Sequence, residues 1–163
     1  MRFNSRIVGS LIALALALTL ATATATGAAD SAGRAYSLTG SWTVKIKGGR
    51  GTPALPRWYG SMVTFTPGGG LIATITDPNI KTGHGSWTQV GSRSFRVTIL
   101  LWQFDSSGHF LSTLKARATL RVGLSRRTFT SDDYRFSFSD PNGKPTGLAG
   151  VGGAFGRRIP VER

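Results

Sequence analysis

The sequence predicts an all-β fold, an eight-stranded antiparallel up-and-down β-barrel, from three observations. About eight runs rich in apolar and β-branched residues succeed one another between residues 41 and 158. Turn-forming residues separate these runs, and no segment shows the apolar period of about 3.6 residues that marks a helix. Short local turns make consecutive strands neighbours, and closing the resulting meander removes both unpaired edges. A two-sheet sandwich is the alternative, but sequential hairpins favour the meander.

The first four predicted strands are separated by turns rich in Pro, Gly and Asp. The first strand alternates Trp42, Val44 and Ile46 with polar residues, which is typical of a strand buried on one face. A loop over residues 48–56 follows, and we expect it to cover the mouth of the barrel. The strands are predicted over residues 41–47, 58–66, 71–76 and 84–90.

The remaining four strands include the most regular one in the chain. There, Leu, Ala and Val alternate with Lys115, Arg117 and Arg121, so one face carries three cations. The strand before it is apolar on both faces over residues 99–102, which suits an outer cover or a dimer contact. The last strand is rich in Gly, which marks the close approach of another backbone. These strands are predicted over residues 93–104, 109–122, 134–138 and 147–159.

Residues 1–29 have the organisation of a secretory signal peptide. Arg2 and Arg6 precede an uncharged apolar run over residues 7–21, and small residues follow it. This order predicts cleavage and a secreted, periplasmic or envelope-associated protein. The alternative is an uncleaved membrane anchor, although the apolar run is shorter than the roughly 20 residues of a span.

The rest of the chain is predicted to be one domain. Residues 30–39 are small and polar, so we expect a flexible lead-in, with the barrel over residues 40–163. The chain has no Cys, so its stability must come from strand pairing and packing rather than disulfides. Its net charge of +13 will draw it to anionic surfaces.

Short motifs near the two ends of the predicted barrel resemble the lipocalin (calycin) pattern. Gly40 and Trp42 open the first strand, Ser131–Tyr134 is placed in the turn before the seventh, and Arg157 and Arg158 end the eighth. The resemblance implies that Trp42 and one of these two Arg residues form a structural pair that closes the base of the barrel. A guanidinium over an indole face is a favourable contact. The opposite end is then the mouth.

The same resemblance implies a secreted bacterial barrel that binds a small hydrophobic molecule in its interior. Small barrels of the allene oxide cyclase type are similar in shape, so an isomerase or cyclase remains an alternative. Sequence does not separate a ligand cavity from a filled core. The candidate ligand-binding residues are Trp58, Phe65, Trp87, Phe95, Trp102, Tyr134, Phe136, Phe138 and, near the rim, His84.

No residue pattern predicts a catalytic or metal site. Adjacent residues on a strand point to opposite faces, so Asp132 and Asp133 suit a structural cap better than a catalytic pair. Two His residues without Cys are a poor metal-ligand set, and no cofactor is predicted. His84 would be the first residue to mutate if the barrel were an enzyme.

A second function class follows from the charge. A filled barrel with a basic outer wall would bind anionic envelope polymers or a lipid surface, with no specific nucleic acid. The oligomeric state is not predicted. The cations that motivate this alternative are Lys45, Lys47, Lys115, Arg117, Arg121, Arg126 and Arg127.

Overall fold

A computed structural model of the chain describes residues 35–49 and 58–162, which form a closed antiparallel barrel of eight strands. Each strand pairs with its neighbours in sequence, and the last strand pairs with the first. The predicted fold class is confirmed, and the barrel is consistent with a calycin-like fold. The strands are β1 Gly40–Gly48, β2 Trp58–Phe65, β3 Gly70–Ile75, β4 Gly83–Gln89, β5 Ser94–Phe104, β6 Phe110–Val122, β7 Thr128–Ser139 and β8 Pro145–Arg158.

The predicted signal peptide and most of the predicted mouth loop fall on residues that the structure does not describe. The predicted signal peptide over residues 1–29 and loop residues 50–56 lie outside the described residues. Within residues 35–49 and 58–162, no helix has the length and hydropathy needed to cross a membrane.

The alternation read from the sequence decides which side chains fill the barrel. On β1, Trp42, Val44 and Ile46 are buried while Thr43 and Lys45 are exposed. β6 alternates in the same way over nearly its whole length. Burying one face of each strand removes apolar surface from water, at roughly 25 cal/mol per Å². The inward faces together form one hydrophobic core.

The seventh strand departs most from its prediction. β7 begins at Thr128 rather than at Tyr134, so Ser131–Tyr134 is not a turn before the strand. Instead this segment lies inside β7, where the pairing with β8 shifts register between Ser131 and Tyr134. The carboxylate of Asp133 accepts hydrogen bonds from the Thr119 amide at 2.7 Å and from the Ser131 hydroxyl at 2.8 Å. Thr119 lies on β6, whose pairing with β7 shifts register between Arg117 and Arg121, so a side-chain acceptor replaces a backbone partner in that ladder.

Different chain segments lie at the two ends of the barrel. The chain segments at the base are residues 35–39, three turns and residues 159–162. Leu38 is fully buried there, and its carbonyl accepts a hydrogen bond from the Trp42 indole at 2.7 Å. Part of the segment predicted as a flexible lead-in is thus packed into the base. The β3–β4, β5–β6 and β7–β8 connections lie at the opposite end.

Candidate functional site

The base of the barrel is closed by Arg158. Its guanidinium lies over the Trp42 indole, 4.3 Å from the ring centroid. It also donates to three backbone carbonyls: Ser37 at 2.8 Å, Arg126 at 3.2 Å, and Thr39. One side chain therefore joins the lead-in, the β6–β7 turn and the end of β8. Its donors satisfy three carbonyls that lie outside the strands.

Gly40 leaves room for the Arg158 guanidinium, whereas Arg157 takes no part in closing the base. Gly40 has a φ of 115°, and a Cβ there would lie 2.8 Å from the Arg158 Nη1 atom. Only glycine adopts this backbone and leaves that space. Arg157 is exposed, because neighbouring residues of a strand point to opposite faces. Of the two Arg residues that the lipocalin resemblance offered for this pair, Arg158 makes the contact with Trp42.

The interior holds a small apolar cavity of about 50 Å³. Typical small-molecule sites have about 300–1,000 Å³, so this space accepts a few heavy atoms at most. The polar lining includes a buried pair, in which the hydroxyls of Tyr59 and Tyr134 lie 2.9 Å apart. This pair joins β2 to β7 within the barrel.

Burial keeps both tyrosines neutral. It raises the pKa of Tyr59, and the neighbouring Tyr134 hydroxyl raises it further. Burial also raises the pKa of Tyr134, while its hydrogen bond with Tyr59 acts in the opposite direction. These hydroxyls can donate and accept hydrogen bonds, and burial disfavours the phenolates that would act as bases.

The predicted interior residues separate into groups. Phe65 and Tyr134 line the cavity. Phe95, Phe136 and Phe138 are buried but fill space outside the cavity lining. Trp87 is half-buried, with its ring against Phe65 and Phe95 and its indole N–H donating to the Thr66 carbonyl at 3.1 Å. The side chain of Trp58 lies outside the described residues.

The prediction that Trp102 lines the interior is wrong, and His84, which was predicted to bind a ligand near the rim, does not face the cavity. Both side chains are exposed on the outer wall, and Trp102 is 60% exposed. The inward position beside His84 is Gly83, which is buried against Leu101 and Leu100. On β5, Leu101 takes the inward position and turns Trp102 outward. His84 therefore offers no acid or base to the cavity.

A cluster of cations lies on the outer side of β5, β6 and β7. The register places Arg117 directly opposite Arg135 on β7 and opposite Thr98 on β5. Like charges facing each other across strands are destabilising, so strand pairing holds together two cations that repel each other. We call this cluster the basic face, and it consists of Arg96, Lys115, Arg117, Arg121 and Arg135.

Two shallow grooves flank the facing pair of arginines. One, of about 390 Å³, is lined by Lys115, Arg117 and Arg135 together with uncharged residues of β7 and β8. The other, of about 360 Å³, includes Arg96 and one acid, Asp133. Burial raises the pKa of Asp133, but hydrogen bonds from Thr119 and Ser131 outweigh it and lower the pKa below its usual value.

The cations of the basic face have no carboxylate partner among the described residues. The one contact of this kind among the described residues is between the Asp105 carboxylate and the His109 imidazole, 3.0 Å apart in the β5–β6 turn. The Asp133 carboxylate lies beside the second groove, where the Thr119 amide and the Ser131 hydroxyl both donate to its Oδ1 atom. The first groove is therefore lined by three cations and no acid, which favours an anionic ligand.

The sequence identified only part of this cluster. Lys115, Arg117 and Arg121 were predicted from the alternation of β6, whereas Arg96 and Arg135 were missed. The other predicted cations lie elsewhere: Lys45 and Lys47 on β1, and Arg126 and Arg127 at the base, where the Arg126 guanidinium lies 4.9 Å from the centroid of the Tyr36 ring. The alternation of β5 and β7 was the available signal, but only the register shows which cations face each other.

Among the described residues, no three His, Asp or Glu side chains come together in a way that could hold a metal ion.

Comparison with known proteins adds no functional assignment. No protein-family model matches the chain, and no curated protein matches it.

Proposed function

We propose that this protein is exported and binds an anionic polymer of the cell envelope along the basic face. The observation that carries the proposal is the groove lined by Lys115, Arg117 and Arg135 without an acid. Two arginines held opposite each other by strand pairing can contact successive anionic groups of one polymer chain. In this proposal the barrel resembles lipocalins in its fold only, and it binds its ligand on the outer wall rather than in the interior.

The interior supports this choice. A cavity of about 50 Å³ is too small for an ordinary hydrophobic ligand, whereas the grooves on the outer wall are several times larger. The net charge of +13 favours approach to any polyanion, and the basic face is the surface on which we propose that the polyanion binds.

The test is charge reversal at the facing pair. We expect the double variant Arg117→Glu, Arg135→Glu to weaken binding to inorganic polyphosphate by about tenfold or more, because two attractions become repulsions. Binding of the unaltered protein should weaken steeply between about 50 and 200 mM salt. Affinity measured by titration at several salt concentrations checks both expectations.

The matched control reverses two exposed cations outside the basic face. The double variant Lys45→Glu, Arg157→Glu changes the net charge by the same amount, on β1 and β8. It should retain most of the affinity. An equal loss in both double variants would mean that net charge alone binds the polymer, and the assignment of the basic face would be abandoned.

A second candidate function is favoured by the Tyr59–Tyr134 pair. Two neutral hydroxyls in an apolar cavity suit a very small molecule with an apolar body and one hydrogen-bonding group. Filling the cavity with the variant Ala118→Leu should then remove the co-purified molecule that native mass spectrometry detects in the unaltered protein. An adduct that persists in this variant, or no adduct in the unaltered protein, rules this candidate out.

A further inference from the structure

An exposed aromatic cluster lies on the outer wall beside the basic face. Trp102 is 60% exposed, and its ring meets the Phe110 ring edge-on with centroids 6.1 Å apart. Phe110 in turn contacts Phe104, with centroids 5.9 Å apart. Single exposed apolar residues are common, but an indole this exposed and supported by further rings is a candidate contact surface.

The strand register connects this cluster to the cations. Trp102 pairs with Thr113 on β6, and its neighbour along β5, Leu100, pairs with Lys115. Lys115 is therefore the diagonal cross-strand neighbour of Trp102, at about 7–8 Å. Arg117 follows two residues further along β6, about 7 Å away. The indole thus lies at one end of the basic face, within reach of the same ligand.

The two surfaces together select among anionic ligands. A polymer of charged sugars offers carboxylates or other anionic groups to the cations and the apolar C–H face of its rings to the indole. An aromatic face attracts such C–H groups because its π-system is electron-rich. A polyanion without rings can use only the cations. The combination therefore favours an acidic polysaccharide.

Two other occupants fit the surface less well. A second copy of this chain would bring another net charge of +13 to the same face. An anionic bilayer would meet the Asp105 carboxylate in the turn next to the aromatic cluster. Hydrogen bonds from the His109 backbone and side chain lower the pKa of Asp105, so this group is negatively charged at neutral pH. Its charge opposes insertion of the turn among anionic headgroups.

We infer that Trp102 and the basic face together bind an acidic polysaccharide, with the indole stacking on a sugar ring. This inference rests on the proposed function, since it names the class of polymer that the basic face would bind. Trp102 is here a specificity-determining residue, because it distinguishes ring-containing polyanions from ring-free ones.

The test compares two polyanions and two variants. The unaltered protein should bind both polygalacturonate and inorganic polyphosphate. The variant Trp102→Ala should weaken polygalacturonate binding about tenfold, the size expected for the loss of one stacking contact, and leave polyphosphate binding unchanged. The control Met62→Ala removes another exposed apolar side chain, on β2 away from the basic face, and should change neither affinity.

Each alternative outcome is informative. If Trp102→Ala weakens both polymers equally or neither, the inference is overturned while binding through the basic face stands. If the unaltered protein binds neither polymer in a salt-dependent way, the proposed function itself fails. If Trp102→Ala reduces sedimentation with phosphatidylglycerol vesicles but leaves polygalacturonate binding intact, the indole serves a bilayer and the inference is overturned. Unchanged thermal unfolding of both variants excludes misfolding as the cause.

Discussion

The variant Arg158→Ala is expected to lose about 3–5 kcal/mol of folding free energy. Its guanidinium donates to the carbonyls of Ser37, Thr39 and Arg126 and covers the Trp42 indole. Removing it leaves three acceptors without their charged donor and exposes one face of a fully buried ring. For a domain of this size, the loss corresponds to a fall of about 10–20 °C in the melting temperature.

Thermal unfolding followed by circular dichroism measures this effect, and the neighbouring residue provides the control. Arg157→Ala removes the same charge from the exposed face of the same strand and should cost less than about 0.5 kcal/mol. Arg158→Lys keeps the charge but not the fork of donors, so we expect an intermediate loss. Equal melting temperatures for the variants at positions 157 and 158 would contradict the closure described here.

The second large effect is expected at Gly152, on the seam where β8 closes the barrel against β1. A Cβ at this position would lie 2.1 Å from the Lys47 carbonyl oxygen, a backbone atom of β1. A flexible side chain could move aside, but a carbonyl within a strand ladder cannot move without disturbing the pairing. We therefore expect Gly152→Ala to cost about 3 kcal/mol through overpacking.

The matched control for this substitution is Gly68 in the β2–β3 turn. A Cβ there meets no atom within 4 Å. Gly68→Ala should leave the stability within about 0.5 kcal/mol of the unaltered protein. Chemical denaturation of both variants measures the difference. A Gly152→Ala protein as stable as Gly68→Ala would show that the seam tolerates an extra methyl group, and the tight closure would be refuted.

Most of the fold could be predicted because strand patterns are local. The side-chain period of two on β1 and β6, and the Pro, Gly and Asp turns between runs, are properties of neighbouring residues. The seventh strand was predicted too short because its bulge interrupts the alternation at Ser131–Tyr134. The resemblance to the lipocalin pattern placed that segment in a turn, whereas Asp133 is a hydrogen-bond acceptor within the strand.

The candidate sites were predicted less completely, for two different reasons. Around His84 the inward positions are the glycines Gly83 and Gly85, so no side chain reveals which face is buried. Around Trp102 the apolar run is continuous, and alternation cannot assign a face to any member. In both cases the wrong face followed from a missing local signal.

The sequence by itself determined the number and order of the strands and the inward face of the regular ones, and its resemblance to the lipocalin pattern pointed to Gly40, Trp42 and one of two arginines at the base. The tertiary structure alone decided which arginine makes that contact, how little space the interior leaves, and which cations face each other beside Trp102. Periodicity is set by adjacent residues, whereas register, bulges and cavity volume depend on contacts between strands far apart in the chain. The proposed binding surface depends on that register, because pairing β5, β6 and β7 brings Arg96, Arg117 and Arg135 together.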